Sequence, residues 1–398
     1  MENPEHMPRQ ILVVDDEPDL ELLVRQRFRR QIRERELEFF FSHNGEEALQ
    51  ALAGQPSIDL VLSDINMPVM DGLTLLGKLN ESGNPRKAVI VSAYGDMANI
   101  RTAMNRGAID FLMKPIDFQD LEITIQKTLA HVEQLKHSLH TQQQLLAIQQ
   151  ELSIAARIQQ WLLPRQFPPF PDRRDFDLHA AMVPAKEVGG DLFDFFLLDA
   201  DHLGVVIGDV SGKGVPAALF MAVSRTLLRA TAMQRLPPGQ CLEYLNTTLA
   251  GQNANSMFVT LFYGILDTRT GEMEYAVGGH NPPYIVSPDG TSRQLPITNS
   301  GMIVGLIENA PYATASCRIA PGEGILLYTD GVTEAMNRAE DFFGEERVEE
   351  FFAQRPGADA VRLVSELHAA VQEFAAGMPQ SDDITVVALR YLSSVPPA

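Results

Sequence analysis

From Leu121 to Leu163 the chain contains neither glycine nor proline, and this stretch constrains the fold most. A segment of that length without a breaker reads as one long helix. The chain must then divide into a part before this helix and a part after it. At 398 residues there is room for two domains, each with its own core. We expect a first domain over residues 9–130, a helical linker over 131–165 and a second domain over 175–391. Ile125, Val132, Leu135, Leu139 and Leu146 follow heptad spacing, interrupted by Thr128 and Gln142. That spacing suits self-pairing into a coiled-coil homodimer, and equally a helix lying on its own domain. The prolines from Pro164 to Pro171 end it.

Before the linker, short apolar runs alternate with helical stretches, the pattern of a parallel sheet with crossover helices. Ile11–Val14, Leu60–Ser63 and Ala88–Ser92 read as buried strands and Phe111–Met113 as a shorter one. Asp15 and Asp16 follow the first run and Asp64 follows Ser63. In such a sheet the carboxyl ends of the strands share one edge, so the three acids converge. Three carboxylates repel one another unless a hard divalent cation such as Mg2+ joins them. Ser92 and Lys114 bring a hydroxyl and an ammonium to the same edge. This set can stabilise a phosphoryl group on one carboxylate.

The motifs VVDDEP, LVLSDINMPVMDG, VIVSAYG and GAIDFLMKP resemble the receiver domain of two-component response regulators, a flavodoxin-like doubly wound α/β fold. The resemblance implies Asp64 as phospho-acceptor, with Asp15, Asp16, Asp64 and the Asn66 carbonyl holding Mg2+. It also implies Ser92 and Lys114 as sensors of the phosphoryl group and a histidine kinase as partner. Phe111 stands at the switch-aromatic position, where many relatives carry tyrosine.

After the linker the strands are joined locally, which predicts an α+β layered fold with antiparallel sheets. Four motifs, VGGDLFD, IGDVSGKG, LYTDGVTE and SDDIT, each place an aspartate beside an apolar strand or glycines. Acids drawn from distant segments without clustered His or Cys favour Mg2+ or Mn2+ over zinc. Two such ions can activate water toward a phosphoryl group, with no covalent nucleophile. GDVSGKG lacks the spacing of a phosphate-binding P-loop, and Ser211 and Ser381 sit in no nucleophile elbow. His280 reads as a buried structural histidine or as a general acid.

These motifs, with AARIQQWLLP, MFVTLFYGILD, GGHNPPYIV and FFGEERV, resemble the sporulation- and stress-type serine phosphatases of the PPM (PP2C-like) family, a β-sandwich flanked by helices. The resemblance implies Asp209 bridging two Mn2+ or Mg2+ ions, with the Val210 carbonyl on one. Asp330 and Asp382 complete the site, Asp383 being able to exchange roles with Asp382. Asp191 becomes an outer-shell carboxylate holding water, and Lys186 grips the substrate phosphate. Two positions depart from the pattern. Ser211 stands where the animal enzymes have histidine, and Lys213 where many bacterial relatives have histidine.

The expected function is therefore that of a response regulator. Its output is metal-dependent dephosphorylation of phosphoserine or phosphothreonine on a protein, and family resemblance points to an anti-sigma-factor antagonist as substrate. The alternative is a non-catalytic adaptor using the same fold. A net charge of -20 counts against nucleic acid as a partner. No apolar run is long enough to span a bilayer, and the N-terminus has no export signal. Cys241 and Cys317, the two cysteines, suit a reducing compartment, so a cytoplasmic protein is expected.

Overall fold

The computed structural model describes residues 8–81, 86–93, 96–251, 253, 256–297 and 301–393. The chain divides into two compact units, Met1–Ile148 and Gln149–Ala398.

In the first unit the order is β1 (Arg9–Val14), α1 (Pro18–Arg27), α2 (Arg29–Arg33), β2 (Leu37–Ser42), α3 (Gly45–Gly54), β3 (Ile58–Asp64), α4 (Gly72–Glu81), β4 (Lys87–Ala93), α5 (Met97–Asn105) and β5 (Asp110–Lys114). The strands form one parallel sheet in the order β2-β1-β3-β4-β5. Reversal of strand order on either side of β1 puts helices on both faces, which is why the central runs Ile11–Val14, Leu60–Leu62 and Ala88–Val91 are unbroken and apolar. Leu12, Val14, Val61 and Ile90 face one core, and Ile11, Val13, Leu60, Leu62, Val89 and Val91 the other. Asp64 does not follow its strand, as the sequence suggests, but is its last residue, in register with Val91.

Helix α6 (Phe118–Leu162) corrects one reading of the heptads. Ile125 and Leu129 lie in the first unit's own core, and Val132 is likewise buried. Arg27–Glu122 and Arg9–Glu133, each 2.8 Å, and Lys136–Asp59 at 2.5 Å continue this docking. The first part of the predicted seam therefore serves the first unit's own core. Farther along, Leu139 is 42% and Leu146 52% exposed. Among the described residues no helix is long and apolar enough to cross a membrane.

The second unit runs β6 (Phe176–Val183), β7 (Leu192–Leu197), β8 (His202–Val210), α7 (Val215–Ala232), α8 (Pro238–Ala250), β9 (Val259–Asp267), β10 (Glu272–Gly278), β11 (Tyr284–Val286), β12 (Ser292–Gln294), β13 (Ala315–Arg318), β14 (Gly324–Tyr328), α9 (Asp330–Thr333), α10 (Gly344–Ala353), α11 (Ala360–Ala375) and β15 (Ile384–Tyr391). Two five-stranded sheets, β13-β10-β9-β8-β7 and β12-β11-β14-β15-β6, are antiparallel throughout. Along β8, Leu203, Val205 and Ile207 enter the core between the sheets, while Val206 and Val210 pack with α7 and α8. Alternate side chains serve two cores, so the strand reads as a continuous apolar run. α10 and α11 cover the other sheet, giving four layers.

One buried ion cluster ties α7 to the sheet. Asp194 on β7 is 1% exposed; Arg225 lies 2.8 Å and Arg229 3.0 Å from its Oδ2. The Arg229 Nη1–H also reaches Oδ1 at 3.0 Å. Removing Asp194 strands the Arg225 charge, whose side chain is 13% exposed, while Arg229, 42% exposed, can turn to solvent, so Asp194→Ala is expected to cost the second unit about 3 kcal/mol, the low end for a broken buried pair. Urea unfolding of that unit's transition measures it.

Candidate functional site

At the carboxyl edge of the first sheet, ligand atoms of Asp15, Asp16 and Asp64 lie within 4.8 Å of one another. The Lys114 ammonium is 2.7 Å from Asp64 Oδ2, 3.0 Å from Asp15 Oδ2 and 3.2 Å from Glu17 Oε1. Burial opposes its charge, but the hydrogen bonds to Asp64 and Asp15 hold its pKa above the ordinary lysine value. Burial raises Asp15, against the Glu17 N–H and Lys114. The Asn66 N–H donates to Asp64 Oδ1 at 3.4 Å. Ser92 is fully buried and its Oγ has no partner among the described residues. Phe111 is half-buried on β5. Asp15, Asp16, Asp64 and Lys114 thus meet at this edge, with Ser92 one residue before the end of β4, whereas Phe111 lies farther back on β5, opposite Ile90.

In the second unit each acid stands where a strand ends. Asp209 and Val210 close β8, Asp330 opens α9 with one residue between it and the end of β14, and Asp382 and Asp383 precede the start of β15. Gly331 makes the approach possible, since a Cβ there would lie 2.0 Å from the Asp383 carbonyl oxygen. Burial pushes Asp209 up to about 7, with the charges of Asp330 and Asp382 adding to it. Asp330 is raised by burial and then by Glu334 and Asp382, and its buried Oδ1 has no partner among the described residues. The acids do not reach the closeness of the receiver set. Among the described residues, only that set brings three such ligand atoms within 4.8 Å. Unneutralised carboxylates repel, and Asp382 is instead paired with Lys213, 2.9 Å away.

Asp382 and Asp383 face different groups. The Asp383 carboxylate accepts the N–H groups of Ala185 at 2.7 Å, Gly190 at 2.6 Å and Asp191 at 3.4 Å. It therefore fastens the loop before β7, and the exchange of roles with Asp382 finds no geometric support. Asp191 is buried, and its Oδ2 accepts the Thr329 hydroxyl at 2.7 Å and the Thr385 hydroxyl at 2.5 Å. Asp209 is its charged neighbour. Burial first, then the neighbouring Asp209 charge, lifts its pKa well above the carboxylate range. Lys186 is exposed on the same loop. His280 is buried, pushed down to about 4 by burial, and bonded through Nδ1 to the Thr260 hydroxyl at 3.0 Å. A neutral, enclosed ring favours the structural reading.

Gln159, which the sequence pattern does not single out, holds the same loop from α6. Its Nε2–H donates to the Gly189 carbonyl at 2.6 Å and its Oε1 accepts the Gly189 N–H at 3.1 Å. It stands in a glutamine-rich helix, so only burial distinguishes it. Thr329 and Thr385 are missed for a related reason, since hydroxyls in strand context read as neutral fillers.

Comparison with known proteins agrees with this geometry. Residues 11–126 match the response regulator receiver domain family, and residues 199–392 match stage II sporulation protein E (SpoIIE). Phosphoserine phosphatase RsbU of Bacillus subtilis is 31% identical over 255 residues, 61% of this chain and 70% of RsbU. The chain belongs to the SpoIIE-type phosphatase family. Ahead of its SpoIIE-type domain it carries a receiver. Protein IcfG of Synechocystis is 33% identical over 273 residues, and there the chain spans only 41% of the relative's length. In fold, the SpoIIE-type domain matches the SiaA-PP2C domain of Pseudomonas aeruginosa with a TM-score of 0.55 at 22% identity, covering 62% of this chain and 97% of that one.

The Gln159 clamp is directly testable. Each hydrogen bond contributes about 1 kcal/mol, so Gln159→Leu should raise amide exchange over Val188–Asp191 by about tenfold or more. Hydrogen-exchange mass spectrometry reads this.

Proposed function

We propose that the chain is a response regulator that removes phosphate from phosphoserine or phosphothreonine on a protein, under control of phosphorylation at Asp64. The observation that carries the reading is the gathering of Asp209, Asp330 and Asp382 at adjoining strand ends. One of these carboxylate oxygens is buried without a partner among the described residues. An all-carboxylate donor set with raised pKa values at Asp209 and Asp330 fits Mn2+ or Mg2+. Asp209 would bridge two ions, with the Val210 carbonyl, Asp330 and Asp382 as further ligands. Such ions, when bound, activate water for in-line attack on phosphorus.

The chain's own residues do the rest. Asp191 lies buried beside the Asp209 charge, and we assign it the positioning of Asp209 in place of holding water, because Thr329 and Thr385 hold its Oδ2. Asp383 fixes the loop that carries Lys186, whose exposed ammonium would grip the substrate phosphate. The phosphoserine phosphatase RsbU supports the residue class of the substrate. An anti-sigma-factor antagonist is the proposed protein.

In the receiver, Asp15, Asp16, Asp64 and the Asn66 carbonyl would hold Mg2+ while a histidine kinase supplies the phosphoryl group. Lys114 already touches Asp64, and the unpartnered Ser92 hydroxyl is available to a phosphoryl oxygen. Phe111 would move with it. We further propose a homodimer through the exposed part of α6, where Leu139 and Leu146 stand one heptad apart.

Two experiments check these assignments. Loss of an outer-shell partner costs about 10–100-fold in a metal site, so loss of a ligand should exceed that. Asp209→Asn and Asp330→Asn are expected to reduce hydrolysis of p-nitrophenyl phosphate in Mn2+ by more than about a hundredfold. Unchanged turnover would overturn the ligand assignment, and a parent that hydrolyses nothing in Mn2+ would favour the non-catalytic adaptor. Light scattering on a Leu139→Asp, Leu146→Asp double variant should show a monomer where the parent is a dimer.

A further inference from the structure

Between β8 and α7 the turn Ser211–Gly214 carries a single charged side chain, Lys213, flanked by Gly212 and Gly214 at φ 85° and 79°. The Lys213 ammonium is 2.9 Å from Asp382 Oδ2, and it also donates to the Ser381 carbonyl oxygen. Both partners belong to the loop before β15, so one side chain joins two of the four acidic motifs across 168 positions of sequence. Its charge reaches Asp330 as well, partly offsetting the other carboxylates there. The pair is not sealed off: the Lys213 side chain is 38% exposed and that of Asp382 is 27% exposed. The ammonium can therefore leave without unfolding anything.

An ammonium and a divalent cation make the same demand on a carboxylate. Each needs its oxygen lone pairs, and two cations a few ångströms apart repel strongly in a partly buried site. In the arrangement seen Asp382 Oδ2 faces the ammonium and Oδ1 accepts the Asp383 N–H at 2.9 Å, so an ion taken up by this carboxylate would stand within a few ångströms of the Lys213 charge. We infer that Lys213 is the resident counter-ion of Asp382, displaced when a divalent cation binds there, so that it sets the ion concentration at which the site fills. The inference rests on the metal-dependent reading above and concerns a residue which that reading leaves without a role. It gives the lysine at this position a physical consequence, since a neutral histidine would not compete by charge. Displacement also unties the Ser211–Gly214 turn from the 381–382 loop, so filling of the site and release of the turn become one event.

The test is Mn2+ binding by isothermal titration calorimetry to the full chain. Asp15→Asn and Asp16→Asn are present throughout, so that the receiver acids do not contribute. Lys213→Met keeps the aliphatic stem and removes the charge. It is expected to bind Mn2+ about tenfold more tightly than the parent, because no cation has to be expelled. It should also melt at a lower temperature in EDTA and gain more from saturating Mn2+. Lys213→Gln should behave as Lys213→Met, which guards against a folding defect peculiar to one variant. Lys213→Arg should stay within about threefold of the parent, since its charge is kept. Equal or weaker Mn2+ binding by both neutral variants, with their melting temperatures in Mn2+ matching the parent's, overturns the inference and leaves the metal site standing. Absence of Mn2+ binding by the parent removes the metal-dependent reading and the inference with it.

Discussion

Burying a carboxylate among other carboxylates disfavours its ionised form unless a cation or a donor stands beside it. Both halves of this chain are organised by that constraint. In the receiver the sheet edge brings Asp15, Asp16 and Asp64 together, and Lys114 bridges two of them. In the SpoIIE-type domain three devices share the task. Asp383 is satisfied by backbone N–H groups, Asp191 by two threonine hydroxyls, and Asp382 by Lys213. Asp330 is left with an oxygen that has no partner among the described residues. Asp209 and Asp330, whose ionised forms burial disfavours, are two of the three acids assigned to the divalent ions; the third, Asp382, holds Lys213 in their place.

The parts of this arrangement that show in the sequence are those carried by period and position. Strands with both faces covered read as unbroken apolar runs, and an acid at the end of such a run is visible at once. That accounts for Asp15, Asp64, Asp209 and Asp330. What escapes is whatever depends on a partner far away in sequence. Lys213 and Ser381 lie 168 positions apart, and nothing in either motif announces the contact. Gln159 is one glutamine of a glutamine-rich helix, and only Gly189, 30 positions on, gives it a task. The heptads mislead for a similar reason. Periodicity says that a stripe of α6 is apolar but does not name the surface it covers, and Ile125 and Leu129 turn out to belong to the receiver's core.

Helix α6 is where the proposed control acts. Within the first unit it supplies Ile125 and Leu129 to the core beneath the sheet; within the second it holds Gly189 through Gln159. Gly189 leads directly into Gly190 and Asp191, and Asp191 bears on Asp209. An element that is continuous in the chain, packed into the first unit's core toward one end and fastened to the Gly189 loop toward the other, has the connectivity that coupling requires, given two arrangements that phosphorylation can bias. The exposed Leu139 and Leu146 between those ends are the segment available to a second copy.

The central claim is that the state of Asp64 governs the phosphatase. The most direct measurement is the Mn2+-dependent turnover of the full chain on a phosphoserine protein, with and without beryllofluoride, set beside an Asp64→Ala chain. The account predicts that beryllofluoride changes the turnover of the parent severalfold and leaves Asp64→Ala unmoved. Identical turnover in the parent with and without beryllofluoride, under conditions where intact-mass measurement shows the acyl phosphate forming from acetyl phosphate at Asp64, would contradict it.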